Sequence, residues 1–133
     1  MKQHADLLTK KQRIGLIGEE AAAKFLRENG FRITARNYFV GKDEIDIIAE
    51  NQELYIFCEV KTRIQQYGKP TLFGRPASAV TAEKQKNIIH AGSAFAARHK
   101  NNGKRFRFDV IEVYLSEKET VTYIHHIQGA FSR

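Results

Sequence analysis

The stretch that decides the fold is Glu44-Ile45-Asp46-Ile47-Ile48-Ala49, followed after a turn by Leu54-Tyr55-Ile56-Phe57-Cys58-Glu59-Val60-Lys61. Both runs are rich in β-branched and aromatic residues, as buried strands are. Alternation puts Ile45, Ile47 and Ala49 on one face of the first strand and Glu44, Asp46 and Ile48 on the other. It divides the second strand into Tyr55, Phe57, Glu59 and Lys61 against Leu54, Ile56, Cys58 and Val60. With the turn tip at Gln52-Glu53, Asp46 lies opposite Glu59, and Asp46, Glu59 and Lys61 converge on one face. A one-residue slip would turn the apolar set of one strand away from its partner, so the hydrophobic pattern supports this register.

Two carboxylates about 5 Å apart on a mostly apolar sheet repel unless a cation lies between them. An all-oxygen site of this kind suits a hard divalent ion such as Mg²⁺ or Mn²⁺. On this reading Asp46 and Glu59 hold the metal together with the Val60 carbonyl. Lys61 points at the same place, where its charge can orient an attacking water and offset charge developing on a phosphodiester. A Glu-x-Lys triplet is also frequent by chance, and the competing account is a surface hairpin with these side chains solvated at its end.

The frame around the triplet is more specific. Gly15-x-x-Gly18-Glu19 falls on a first helix, Glu44-Ile45-Asp46 and Glu59-Val60-Lys61-Thr62-Arg63 on successive strands, Lys84 on a second helix and Arg107-Phe108-Asp109-Val110 on a late strand. This ordered set, spanning Ile14 to Phe131, resembles the PD-(D/E)xK nuclease superfamily. It is more closely similar to the YraN-like family of predicted endonucleases, relatives of archaeal Holliday-junction resolvases. Ile45 stands in place of the proline of the superfamily's name, and Asp43 where a glycine often precedes Glu-Ile-Asp in this family. The resemblance implies an α/β, restriction-endonuclease-like single domain: a mixed β-sheet flanked by helices, in the order αβββαβ plus a last strand. It implies a metal-dependent endonuclease acting on DNA. Analogy with the resolvases extends this to branched or junction DNA and to a two-fold homodimer. The family resemblance makes Glu19 and Glu44 secondary metal or water ligands beside Asp46 and Glu59, and Lys84 a phosphate contact or a partner to the acids.

Composition agrees with a polyanionic partner. The 133 residues carry 22 Lys and Arg against 15 Asp and Glu, a net charge of +7, which favours a polyanion without naming one. The length suits one domain, 1–133. Cys58 is the sole cysteine, which excludes an internal disulfide and a Cys-rich zinc site. No apolar run approaches a membrane span and the N-terminus is no secretory signal, so the expected location is cytoplasmic.

Along the chain, residues 1–11 read as a flexible basic arm with Lys10 and Lys11. Gln12 to Asn29 reads as an amphipathic helix closed by Gly30, with Glu19 at the edge of its apolar stripe and Glu20 toward solvent. Phe31 to Val40 is a first strand with Arg32 and Arg36 facing solvent, beginning an antiparallel meander. Residues 63–79 show no period and read as a mobile loop whose Arg63, Lys69 and Arg75, with Tyr67 and Phe73, can meet phosphates and bases. Thr81 caps a second helix running to Lys100. Lys84 falls there among Val80, Ile88, Ala91 and Phe95, in the first turn, where the helix dipole disfavours a cation, so a nearby anion would relieve it. Arg105 to Leu115 joins the sheet parallel to an inner strand, with Asp109 paired to Arg107. Val121 to Ile127 ends the sheet, and adjacent His125 and His126 point to opposite faces. Two other function classes stay open beside the nuclease: a nucleic-acid-binding module that does not cleave, and a domain whose basic surface binds an acidic protein.

Overall fold

The computed structural model describes residues 8–65, 80–99 and 103–132. Helix α1 spans Lys10–Glu28 and starts two residues earlier than the hydrophobic period indicates. The reason is a capping box: Thr9 accepts from the Gln12 backbone N–H at 3.0 Å and Gln12 returns the bond to the Thr9 N–H, satisfying two otherwise orphaned donors. Lys10 and Lys11 are therefore helical rather than part of a loose arm, and residues 1–7 lie outside the description. At the other end Gly30 takes φ +90, while Phe31 N bonds Leu26 O and Gly30 N bonds Arg27 O, the Schellman closure a glycine permits.

The strands are β1 (Arg32–Val40), β2 (Asp43–Glu50), β3 (Leu54–Ile64), β4 (Arg105–Leu115) and β5 (Val121–Phe131), with helix α2 (Ala82–His99) between β3 and β4. They form one sheet in the order β1-β2-β3-β4-β5. The β3–β4 pair is parallel and the other three are antiparallel, as a meander followed by a helical crossover requires. This is the mixed α/β single domain expected, consistent with a restriction-endonuclease-like fold. Thr81 caps α2, accepting from the Lys84 N–H at 3.1 Å.

Helix α1 covers one face through Ala22, Ala23 and Leu26 on Ile47, Ala49, Ile56, Cys58 and Ile111. Helix α2 covers the other through Ile88, Ala91 and Phe95 on Ile45, Ile48, Phe57 and Phe108. Each face thus buries an apolar layer of its own. No helix among the described residues is long and apolar enough to cross a membrane.

Two strand ends differ from the sequence reading. Strand β3 continues to Ile64 because β4 pairs with it over its whole length, so Arg63 is a strand residue and not part of a loop. Lys69 and Arg75, with Tyr67 and Phe73, lie outside the described residues. Strand β5 runs on to Phe131, held by pairing with Phe108. The alternation in β2 also breaks: Ile45 packs under α2 with Ile48 and Tyr38, not with Ile47 and Ala49. Opposite this point, the register Arg36↔Ile47 and Tyr38↔Ile45 sets Asn37 against Asp46. Asn37 takes φ 50, a left-handed conformation asparagine tolerates, and both strands change face there.

Candidate active site

The β2–β3 ladder runs from Glu50↔Tyr55 to Ile47↔Cys58, and its next step sets Asp46 opposite Glu59, the register expected from the hydrophobic pattern. There the Asp46 side chain replaces the partner backbone: the Val60 N–H donates to Asp46 Oδ2 at 2.8 Å. The two strands fork at this point, and the acids stand in the fork.

Glu59 is 4% exposed. Its Oε2 lies 3.3 Å from Lys61 Nζ and 3.9 Å from Lys84 Nζ, so the first turn of α2 brings Lys84 to the acid that the helix dipole argument called for. Its Oε1 is buried with no hydrogen-bond partner among the described residues. Asp46 is 9% exposed and its carboxyl is pushed up to about 8, chiefly by burial and then by the Glu59 charge, with Glu19 and Glu44 adding to it against the Val60 bond. A buried carboxylate pair short of positive charge holds a proton instead.

Glu19 reaches the same region from α1. Gly18 makes this approach possible: a Cβ there would sit 1.8 Å from Thr62 Oγ1, so only glycine lets α1 seat so closely on β3. Burial raises the Glu19 carboxyl, Arg36 opposes this from 4.0 Å, and Glu44 and Glu59 raise it further. Glu20 faces solvent and pairs with Arg36 Nη1 at 2.8 Å.

Arg36 is the residue that the sequence reading missed. It was expected to face solvent, yet its Nε is buried without a partner and its guanidinium sits between Glu19 and Glu20. The only signal was its place beside Asn37, where the strand changes face. Asp43 turns away from the acid group to His90 of α2 at 2.8 Å. Arg63 lies two residues beyond Lys61 and engages the buried Glu112 at 3.4 Å, so it is not brought to the Asp46–Glu59 fork.

The donor set tests well against a divalent cation. It is all oxygen, it includes an unpartnered buried carboxylate oxygen, and it carries a shortage of positive charge that an ion would relieve. As the side chains stand, no group of three or more His, Cys, Asp and Glu among the described residues is gathered tightly enough to hold an ion. Asp46 and Glu59 come nearest to doing so, and Glu19 and Glu44 lie close enough for their charge to act on Asp46.

A family model described as "Uncharacterised protein family UPF0102" matches residues 18–113. The chain is 38% identical to a UPF0102 protein of Caldicellulosiruptor saccharolyticus over 121 residues, covering 91% of this chain and 98% of that protein. It is 43% identical to one of Chlorobaculum tepidum over 124 residues, covering 90% and 92%. Among solved structures it is similar to Pyrococcus furiosus SfsA in complex with Ca²⁺, at 16% identity and a TM-score of 0.34, over 88% of this chain and 62% of that one. That likeness is too loose to build on.

Proposed function

The chain belongs to the uncharacterised protein family UPF0102, and from that premise and the geometry of its acid fork we propose that it is a metal-dependent endonuclease acting on DNA in the cytoplasm. The observation that carries this is the buried Glu59 Oε1, without a partner among the described residues, beside an Asp46 carboxyl raised to about 8. A protein gains no stability from such an arrangement, and a module that only binds a phosphate backbone gains nothing from clustered acids facing it.

Asp46, Glu59 and the Val60 carbonyl would hold Mg²⁺ or Mn²⁺, with Glu19 and Glu44 as secondary ligands. The ion would supply Lewis acidity at the scissile phosphate. Lys61, 3.3 Å from Glu59, orients the attacking water and offsets charge on the phosphate as water adds and the P–O bond breaks. Lys84 holds a phosphate oxygen from the α2 side. Glu59 keeps both lysines in place before substrate arrives. Branched or junction DNA, cut by a two-fold dimer, follows from analogy with the resolvases.

The test is cleavage of labelled duplex, single-strand, flap and four-way-junction DNA with Mg²⁺, Mn²⁺ or EDTA, alongside Asp46→Asn. Metal-dependent cutting that the variant loses is the expected result. Salt-sensitive binding without cutting in either metal, unchanged in the variant, would replace the nuclease with a binding module.

A further inference from the structure

Helix α1 and the end of β3 leave between them a groove of about 570 Å³. Its floor is apolar, made by Ile14, Gly15, Val60 and Ile64, and exposed Lys10 and Lys11 stand on its rim. At one end it runs into the acid fork, for Glu19 and Lys61 belong to both. Gly15 is the informative residue. Gly18, one turn on, is imposed by contact with Thr62, but a Cβ on Gly15 would meet nothing within 4 Å. A glycine inside a helix costs stability relative to almost any other residue, and packing among the described residues does not call for this one. What it does is keep the floor of the groove open.

We propose that this groove receives one unpaired nucleoside of the strand being cut, adjacent to the scissile phosphate. Its flat face lies on the apolar floor over Gly15, and Lys10 and Lys11 meet the neighbouring phosphate. The proposal takes its setting from the nuclease reading of the acid fork and narrows its substrate class. An apolar floor with cations on the rim matches a nucleotide, which is a flat apolar ring beside an anion. The volume lies within the roughly 300–1,000 Å³ of small-molecule sites. It suits a nucleoside withdrawn from its stack, which a duplex yields only by breaking a pair. The substrates are therefore strands already unpaired at the cut.

The experiment compares wild type, Gly15→Ala, Gly15→Leu and the double variant Lys10→Ala/Lys11→Ala. Readouts are thermal melting, anisotropy with labelled single-strand and duplex DNA of one sequence in EDTA, and cleavage in Mn²⁺. Both Gly15 variants should melt at or above wild type, since each replaces a helix-interior glycine at a position where an added Cβ meets nothing within 4 Å among the described residues. Gly15→Ala raises the floor by one methyl and should weaken single-strand binding by a smaller factor than Gly15→Leu does. Gly15→Leu fills the groove and should weaken single-strand binding about tenfold, a typical single-base contact, with duplex binding unchanged. The double variant, altered only at exposed side chains, should also lose single-strand binding preferentially. Gly15→Leu that binds and cuts single strands like wild type, or that loses both DNAs equally, would overturn the groove while leaving the nuclease reading intact. Selective loss of binding with no cutting by any of the proteins would overturn the nuclease reading and leave the groove standing. Wild type that binds neither DNA would end both.

Discussion

Asp109 and the Asp46–Glu59 pair lie on neighbouring rungs of β3, and the protein treats them in opposite ways. Asp109, across from Cys58, is fully buried. Two bonds from Arg107 at 2.8 Å, His126 Nε2 at 2.8 Å and the Gly129 N–H at 2.9 Å surround it. Burial pushes its carboxyl up, but His126, Arg107 and Gly129 together hold it below the ordinary carboxylate value. One residue along β3, Asp46 has a single backbone bond and Glu59 an oxygen with none. A buried acid that serves the fold comes with its counter-charges. A buried pair whose lysines reach only one of its four carboxylate oxygens marks the place where something from outside completes the charge balance.

The largest effects should separate the two in opposite directions. Asp46→Asn should reduce metal-dependent cleavage by at least about a hundredfold and melt no lower than wild type, because its amide can still accept from Val60 and needs no proton to stay neutral when buried. Asp109→Asn should cost about 3 kcal/mol of stability by stranding Arg107 and His126, read by urea unfolding. Comparable destabilisation in both would break the contrast.

Metal should sharpen it next. Mn²⁺ at a hundredfold excess over its dissociation constant should stabilise wild type by about 2.7 kcal/mol, with EDTA reversing the gain. Asp46→Asn and Glu59→Gln should lose that response, whereas Asp109→Asn should keep it on a lower baseline. A metal response that survives loss of both fork acids would move the site elsewhere.

The pH dependence in EDTA should run in opposite senses. The Asp109 carboxyl is depressed in the folded state, so its stabilisation is present above the unfolded value of about 3.9 and is lost as pH falls through its folded value. The deficit of Asp109→Asn should therefore shrink in acid. The Asp46 carboxyl is raised to about 8, so its contribution is full below the unfolded value and lost as pH rises through about 8. The advantage of Asp46→Asn should grow over that range. The smallest effect concerns Lys84, 3.9 Å from Glu59 and partly exposed. Lys84→Met should shift stability by less than about 0.5 kcal/mol while slowing cleavage about tenfold.

The fork was legible in the chain because its parts are local. Period-two alternation located β2 and β3, the apolar pattern held the register that opposes Asp46 to Glu59, and a lysine misplaced on an apolar helix face pointed to an anion that proved to be Glu59. Asp109 was legible only as half of a pair with Arg107. His126 and Gly129, its other partners, come from a strand whose length was read four residues short, since pairing with Phe108 extends it.

What the sequence by itself determined is therefore the order of elements, the register of the central hairpin and the acids it carries, all set by periodicities within a few residues. Only the tertiary structure decided which of those acids would be neutralised. The deciding charges come from elements far apart in the chain: Arg36 turned inward where β1 changes face at Asn37, Lys84 arriving on α2, and the further acid Glu19 carried by α1 where Gly18 seats it on Thr62. Burial and Coulomb interactions add over everything that packs around a group, so whether a carboxylate is satisfied is settled by the assembled neighbours and not by its own strand.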